Sequence, residues 1–359
     1  MPLKEKREDL RIVLLGKTGV GKSAAGNTIL GRDPLPEETG EGKSAAENLD
    51  KGTFESSLCA GSLTAACKKK RVHVNRRDVY VVDTPGLFDT RTNHEETEKE
   101  VRECISLSSP GPHAFLVVIQ LGTFTPEEQN TVKLIKKIFG EESAKYTMVL
   151  FTHGDKLKKI TIDEFVKGNE KLKDFTDQCH GGYHVFNNED KKNRSQVTEL
   201  LKKIDAMVKM NGGGYYTTEL YQQVEAEIER EKAKILKQKK KERKLEEKRL
   251  EEQIKDKEEL KKAKEELKQK EDENAFTLSE NARLEAELNN SFTRSGVIGA
   301  ISGAIAGGIA GGIGGAVVAG PVGAVVGAAG GAVVGAAGGA AVGAAAGGAA
   351  GGQQAKKDD

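Results

Sequence analysis

Short apolar runs separated by amphipathic stretches fill the first part of the chain. Leu10–Leu15, Val79–Val82, Ala114–Gln120, Tyr146–Phe151 and Tyr183–Phe186 are rich in branched aliphatic and aromatic residues and too short for helices, so each predicts a buried strand. Strands alternating with helical patterns predict a parallel sheet covered by helices, an α/β domain over residues 8–210. In such sheets ligands gather at the carboxyl ends of the strands, which is where the polar motifs of this chain fall.

The pattern then changes twice. From Thr217 to Asn290 the sequence is rich in Lys and Glu and lacks Pro and Gly, and Glu251/Lys255, Glu258/Lys262 and Glu266/Lys270 stand four residues apart in the favourable order. One long charged helix over 217–290 is expected, about 100 Å at ~1.5 Å per residue. Its apolar positions, among them Val224, Ile228, Ile235, Leu245, Leu250, Ile254, Leu260 and Leu267, keep no strict heptad. A solvated spacer and a coiled coil both fit. Residues 295–355 carry no charge and consist largely of Gly, Ala, Val and Ile, with a small residue at every fourth position from Gly299 to Gly351. This is the spacing of close helix contacts in lipid, and Gly320-Pro321 divides the segment into two arms, each near the ~20 residues that cross a bilayer. A hydrophobic membrane hairpin with both ends in the cytosol is the reading set against a disordered or self-associating soluble tail, since Gly and Ala bury little apolar area.

Hydrophobic residues make up 37% and charged ones 31% of the 359, and the formal net charge of +1 gives no reason to expect a nucleic-acid partner. The four cysteines, Cys59, Cys67, Cys104 and Cys179, show no C-x-x-C spacing, and no signal peptide precedes the first strand. A reducing, cytoplasmic setting is expected. Neither the basic cluster Lys68 to Arg71 nor the run Lys237 to Lys241 alters that expectation, because solvated loop or helix is the default for each.

The chemistry begins directly after the first strand. Gly16-Lys17-Thr18-Gly19-Val20-Gly21-Lys22-Ser23 completes G-x-x-x-x-G-K-[ST], a loop whose amides face phosphates, with Lys22 as a point charge and the Ser23 hydroxyl as a ligand for Mg²⁺. Val79–Val82 runs into Asp83-Thr84-Pro85-Gly86, a D-x-x-G at a strand end, where the Asp holds Mg²⁺ and the Gly N–H senses a γ-phosphate. Thr64 is the candidate hydroxyl of a first switch, closing on Mg²⁺ when the γ-phosphate is present. Next, Met148–Phe151 leads into Thr152-His153-Gly154-Asp155, related to the guanine-selective [NT]-K-x-D but with His153 in place of the lysine. The Asp155 carboxylate can accept from the guanine N1 and N2 donors, a pair that adenine lacks. No second catalytic centre emerges: His73, His94, His180 and His184 lack metal-ligand spacing, and no chemistry is apparent for His113.

The stretches Gly16 to Gly31, Val82 to Thr90, and Pro110-Gly111-Pro112-His113-Ala114-Phe115 with Leu121-Gly122 and Phe124-Thr125 resemble the GIMAP (IAN) GTPases, septin-related guanine-nucleotide-binding proteins of immune cells. The resemblance covers about residues 8–210, and Pro110 to Gln129 is its most specific part. It implies a doubly wound P-loop G domain of TRAFAC type, binding of GTP/GDP with Mg²⁺, and a homodimer or homo-oligomer formed through the nucleotide face. Carried onto this chain, it supports Gly16, Lys17, Thr18, Gly19, Val20, Gly21, Lys22, Ser23 and Ala24 at the phosphates, and Thr64, Asp83, Gly86, His153 and Asp155 in the roles above. It adds Ser56 as a nucleotide contact and Asn187 beside the base. Ser23, Thr64 and Asp83 form the metal set.

Three departures from the family pattern stand out. Residues 32–52 read as an insertion ahead of the first switch, His153-Gly154 is unusual in the base motif, and Thr123 stands where relatives commonly carry an Arg proposed to reach across the dimer. Leu87, after the D-x-x-G, occupies the place of a water-orienting Gln. With both groups absent hydrolysis should be slow, since an arginine finger alone contributes ~10³- to 10⁵-fold. The expected function is a GTP-controlled assembly protein, held at an intracellular membrane by its tail. An efficient dimerisation-activated GTPase and a scaffold with structural nucleotide are the alternatives.

Overall fold

The computed structural model describes residues 9–31, 53–54, 66–86, 94–122, 124–254 and 257–295. The expected strands are present as β1 (Leu10–Leu15), β3 (Arg77–Asp83), β4 (Ala114–Gln120), β5 (Thr147–Thr152) and β6 (Tyr183–Val185), joined by an unpredicted β2 (Lys68–Val74). They form one sheet in the order β2-β3-β1-β4-β5-β6, parallel throughout except for the antiparallel edge pair β2 and β3. The helices of the domain are α1 (Lys22–Leu30), α2 (His94–Ser108), α3 (Pro126–Phe139), α4 (Ile162–Lys167), α5 (Glu170–Asp177) and α6 (Ser195–Met210).

Alternate side chains of the central strands define two apolar faces. Ile12, Leu14, Val79, Val81, Leu116, Val118 and Leu150 point into a core closed by Ile29 and Leu30 of α1 and by Val197, Leu200, Leu201 and Ile204 of α6. On the opposite face Phe115 packs against Phe139 of α3, with ring centroids 4.8 Å apart. This is a doubly wound G-domain fold. Order 3-1-4 at its centre places the chain reversal beside β1, so the loop after β1 opens at the topological switch point where ligands of such sheets bind.

The Lys68 to Arg71 cluster is not a solvated loop. It lies in β2, which meets β3 through a tight turn with Asn75 and Arg76 both at positive φ, the arrangement that matches strand twist. Period 2 sorts the charges. Val72 and Val74 lean on the core and Lys70 reaches over the Phe54 ring, while Lys69 and Arg71 face the other way, toward acidic residues far along the chain.

Those acids belong to the charged region, which is not one continuous helix. It folds as α7 (Glu219–Gln253) and α8 (Lys257–Asn289), followed by the short α9 (Ser291–Ser295). Ile254 has left helical geometry, at φ −101° and ψ 108°. Contacts from Lys264 to Glu251 and from Arg283 to Glu225 and Glu229 show that the two helices run antiparallel. The hairpin lies back on the domain: Tyr221 Oη meets Ser108 Oγ at 3.0 Å, Lys69 pairs with Glu287 at 2.7 Å and Arg71 with Glu280 at 2.7 Å. A spacer extending about 100 Å is thereby replaced by two helices of about 50 Å each. Among the described residues no helix is long and apolar enough to cross a membrane. The glycine-rich segment 295–355, where a membrane hairpin was expected, lies outside the described residues apart from its first residue.

Candidate functional site

The loop between β1 and α1 is shaped by its glycines. Gly16 leaves the strand at φ 145°, where a Cβ would lie 2.6 Å from the Val118 carbonyl oxygen, and Gly21 enters α1 at φ 93°. Only a residue without a side chain fits the first of these positions. Lys22, 7% exposed, folds over the loop and donates from Nζ to the carbonyls of Gly16 at 3.0 Å and Lys17 at 2.8 Å. The ring so formed runs through Thr18, Gly19 and the buried Val20. Its ammonium and the first amides of α1, from Lys22 through Ser23 and Ala24, give one end of the loop positive potential.

Asp83 closes the site from β3. Ser23 Oγ donates to Asp83 Oδ2 at 2.6 Å, whereas Asp83 Oδ1 is buried without a hydrogen-bond partner among the described residues. Burial pushes this carboxyl up to about 6, against the opposing effects of the Ser23 hydrogen bond and the charges of Lys22 and Lys68. An orphaned carboxylate oxygen beside a serine hydroxyl is the donor set of a hard divalent cation, so the residues present fit Mg²⁺. Thr84 Oγ1 donates to Leu14 O at 2.7 Å and fixes the start of the D-x-x-G segment on β1; Gly86, buried, is the last described residue before α2.

The turn that carries Asp155 is tied to the phosphate loop through the residue before it on β5. Thr152, the last residue of β5, donates from Oγ1 to Val20 O at 2.7 Å. His153 follows at φ 60°, and its Nδ1 lies 3.1 Å from Thr152 Oγ1, so its ring turns back onto the strand. Asp155 then stands exposed on a single 3-10 turn, Gly154–Leu157. Gly154 N–H donates to Phe186 O at 2.9 Å, which brings the Asp155 turn against Asn187. The loop Phe186–Asp190 is steadied by Gln196, and by Thr28 of α1, whose Oγ1 donates to Asn188 Oδ1 at 2.9 Å.

The phosphate loop, Asp83, Gly86, His153, Asp155 and Asn187 therefore all lie along the carboxyl end of the sheet. Ser56, Thr64, Leu87, Thr123 and the insertion 32–52 lie outside the described residues. Two supports escaped the sequence reading. Asn27 grips the Phe54 peptide with both ends of its amide, Nδ2 to Phe54 O at 2.8 Å and Phe54 N–H to Oδ1 at 2.7 Å, and so anchors the chain just ahead of the first-switch candidates. The contact is legible only in that Asn27 follows Gly26, where a Cβ would strike the Phe54 ring at 2.7 Å. Gln196 carries no sequence signal at all.

The chain is similar to several known proteins. The AIG1 family profile matches residues 10–36 and 35–239. The human "GTPase IMAP family member 8" is 34% identical over 211 residues, 58% of this chain and 29% of that protein. "Immune-associated nucleotide-binding protein 9" of Arabidopsis thaliana is 36% identical over 224 residues, 60% of each chain. The chain thus spans less than two thirds of the length of these curated relatives. Among solved structures, Toc33 from Arabidopsis thaliana in complex with GDP and Mg²⁺ aligns over 56% of this chain and 85% of its own, with 17% identity and a TM-score of 0.39. With its profile running from β1 into α7 and named relatives above 30% identity, the chain belongs to the AIG1 family, that of the GTPase IMAP and immune-associated nucleotide-binding proteins.

Proposed function

We propose that this chain is a guanine-nucleotide switch that binds GTP and GDP with Mg²⁺ and assembles through its nucleotide face in the GTP state. The orphaned Asp83 Oδ1 beside Ser23, at the mouth of a loop closed by Lys22, is the observation that carries the reading. Phosphates would be met by the loop amides and the Lys22 ammonium, which exchanges its two carbonyl partners for phosphate oxygens. Ser23 and Asp83 would hold Mg²⁺, which would supply charge neutralisation at the phosphates. Asp155 would accept from the guanine N1 and N2 donors, with Asn187 beside the base. Ordering of Thr64 and Gly86 by the γ-phosphate would then build the assembly face.

Slow hydrolysis belongs to the same reading, because Leu87 and Thr123 supply neither a water-orienting amide nor a positive charge. Attachment to an intracellular membrane through residues 295–355, with the G domain in the cytosol, is the further expectation, resting on the charge-free, small-residue pattern. The nucleotide assignment is tested by mass spectrometry of nucleotide co-purifying with the full chain, together with Asp155→Asn. The variant should exchange guanine for xanthine preference. Unchanged guanine preference refutes the role given to that carboxylate. Turnover that rises steeply with protein concentration would refute the slow-switch reading in favour of a dimerisation-activated enzyme.

A further inference from the structure

The segment after β6 is held from two opposite sides. On the sheet side, Phe186 N–H donates to Phe151 O at 2.8 Å and Gly154 N–H to Phe186 O at 2.9 Å, so the Asp155 turn and the Asn187 loop share one backbone seam. The seam is tight: a Cβ at Gly154 would lie 3.2 Å from Phe186 O and 3.3 Å from Asn187 N. On the far side stands Gln196, 8% exposed, in the first turn of α6. Its Oε1 accepts from Asn187 N–H at 3.0 Å, and its Nε2 donates to Asn187 O at 3.2 Å and Asp190 O at 3.3 Å. One primary amide thus meets both main-chain polar groups of residue 187, as a neighbouring strand would.

Gln196 is itself held in place. His184, buried in β6, lies with Nε2 2.8 Å from Gln196 O, and burial, with the nearby Lys203 charge, lowers the imidazole to about 4, so the neutral ring donates from Nε2. The strand that leads into the loop therefore positions the residue that closes it. A carboxylate in place of the amide would keep the acceptor and lose the donor, and an aliphatic side chain would lose both.

We propose that Gln196 is a positioning residue for base selectivity, clamping the Asn187 peptide so that the loop beside the base stays seated against the Asp155 turn. This rests on the guanine-nucleotide reading above. Discrimination by Asp155 needs a base that cannot slide, because a purine free to shift admits water to the carboxylate and removes the penalty on adenine. Slackening the loop should therefore erode base discrimination and leave the phosphate contacts, made by another part of the chain, as they are.

The test is calorimetric titration of the full chain, with Mg²⁺, by GDP and by ADP, for wild type, Gln196→Leu and Gln196→Glu, each with a thermal melt. Wild type should prefer GDP. In Gln196→Leu the GDP-to-ADP affinity ratio should fall at least tenfold, with ADP affinity within twofold of wild type, whereas a merely structural role would lower both affinities together and keep their ratio. Gln196→Glu should show an intermediate fall of several-fold, and it carries the test if the Leu variant does not fold. A wild type that prefers GDP, with variants that keep its ratio within twofold, overturns this proposal alone. A wild type that binds GDP no better than ADP overturns the guanine reading and this proposal with it.

Discussion

Replacing Arg283 by Met should loosen α8 from α7 and from the end of α2 without unfolding the sheet. Arg283 sits at the crossing of α7, α8 and the end of α2. Its Nη1 donates to Glu225 Oε1 at 3.0 Å and Glu229 Oε1 at 2.9 Å, its Nη2 to Glu225 Oε2 at 2.9 Å and Ser109 O at 3.0 Å, and its Nε to Glu287 Oε1 at 3.0 Å. Burial opposes its charge, but the Glu225 hydrogen bonds and the Glu287, Glu225 and Glu229 charges outweigh burial and hold the guanidinium above its ordinary range. Removing one partner of a buried pair costs about 3–5 kcal/mol, because the charge left behind is uncompensated. Glu229, 51% exposed, adds under about 1 kcal/mol. Glu287 keeps Lys69 at 2.7 Å and Glu225 keeps the Ser109 hydroxyl at 2.8 Å, so the lower end applies, about 3 kcal/mol. That corresponds to roughly a hundredfold in the opening equilibrium. Hydrogen exchange read by mass spectrometry should show protection in α8 falling by about that factor, with β1, β4 and β5 unchanged. Arg283→Lys, which keeps the charge and loses the planar fork, should fall between. A loss below threefold in α8, or an equal loss in the central strands, would refute the reasoning.

Three further outcomes follow from the geometry. Asn27→Ala removes both hydrogen bonds to the Phe54 peptide, costing about 2–3 kcal/mol in urea unfolding, and should weaken GTP more than GDP in calorimetry because the first-switch candidates begin just beyond Phe54. Thr152→Val deletes the Thr152 Oγ1 to Val20 O bond, about 1 kcal/mol, and should lower GDP affinity about fivefold while the thermal melt stays cooperative. His113 and His184 are both lowered, to about 3 and about 4, first by burial and then by Arg11 and Lys203 respectively, so the folded chain binds fewer protons than the unfolded one below about pH 6.5. Stability should therefore fall on acidification between pH 6.5 and 5.0, by about 2 kcal/mol for each histidine, and His184→Gln should halve the histidine part of that slope in urea titrations at pH 7.5 and 5.0.

What could be read from the sequence was what is local. The phosphate loop and the D-x-x-G are contiguous, and each follows an apolar run that fixes its place at a strand end. β2 was hidden because four successive basic residues carry no hydrophobic signal, and the acids that neutralise two of them, Glu280 and Glu287, lie some two hundred positions away. The hairpin was hidden for the same reason. No Gly or Pro marks the break near Ile254; what distinguishes a folded pair from one long helix is the set of tertiary anchors, Tyr221, Glu225, Arg283 and Glu287, each of which reads locally as part of a charged or amphipathic face. Gln196 is one polar residue among many until the loop it grips is in place.

The stretch beginning at Pro110 shows how a sequence signature can precede its chemistry. Burial and the neighbouring Arg11 and Arg77 keep the His113 ring neutral, and its Nδ1 accepts from Arg11 N–H at 3.0 Å while its backbone N–H donates to Arg11 O at 2.8 Å. Beside it Gly111, at φ 149°, lies so near the Tyr216 carbonyl that a Cβ would fall 1.8 Å from the oxygen. Tyr216 N–H donates to Pro112 O at 2.8 Å, its hydroxyl meets Phe139 O, and the Arg11 guanidinium lies 4.7 Å from the centre of the Tyr215 ring. These contacts seat the chain that leaves α6 against the amino-terminal ends of β1 and β4, and so aim α7 across α2. The residues that look most like a family motif without a reaction are those that join the nucleotide domain to its hairpin. Their replacement should disturb the path of the hairpin before it disturbs the loop that holds phosphate, which lies at the other end of the same strands.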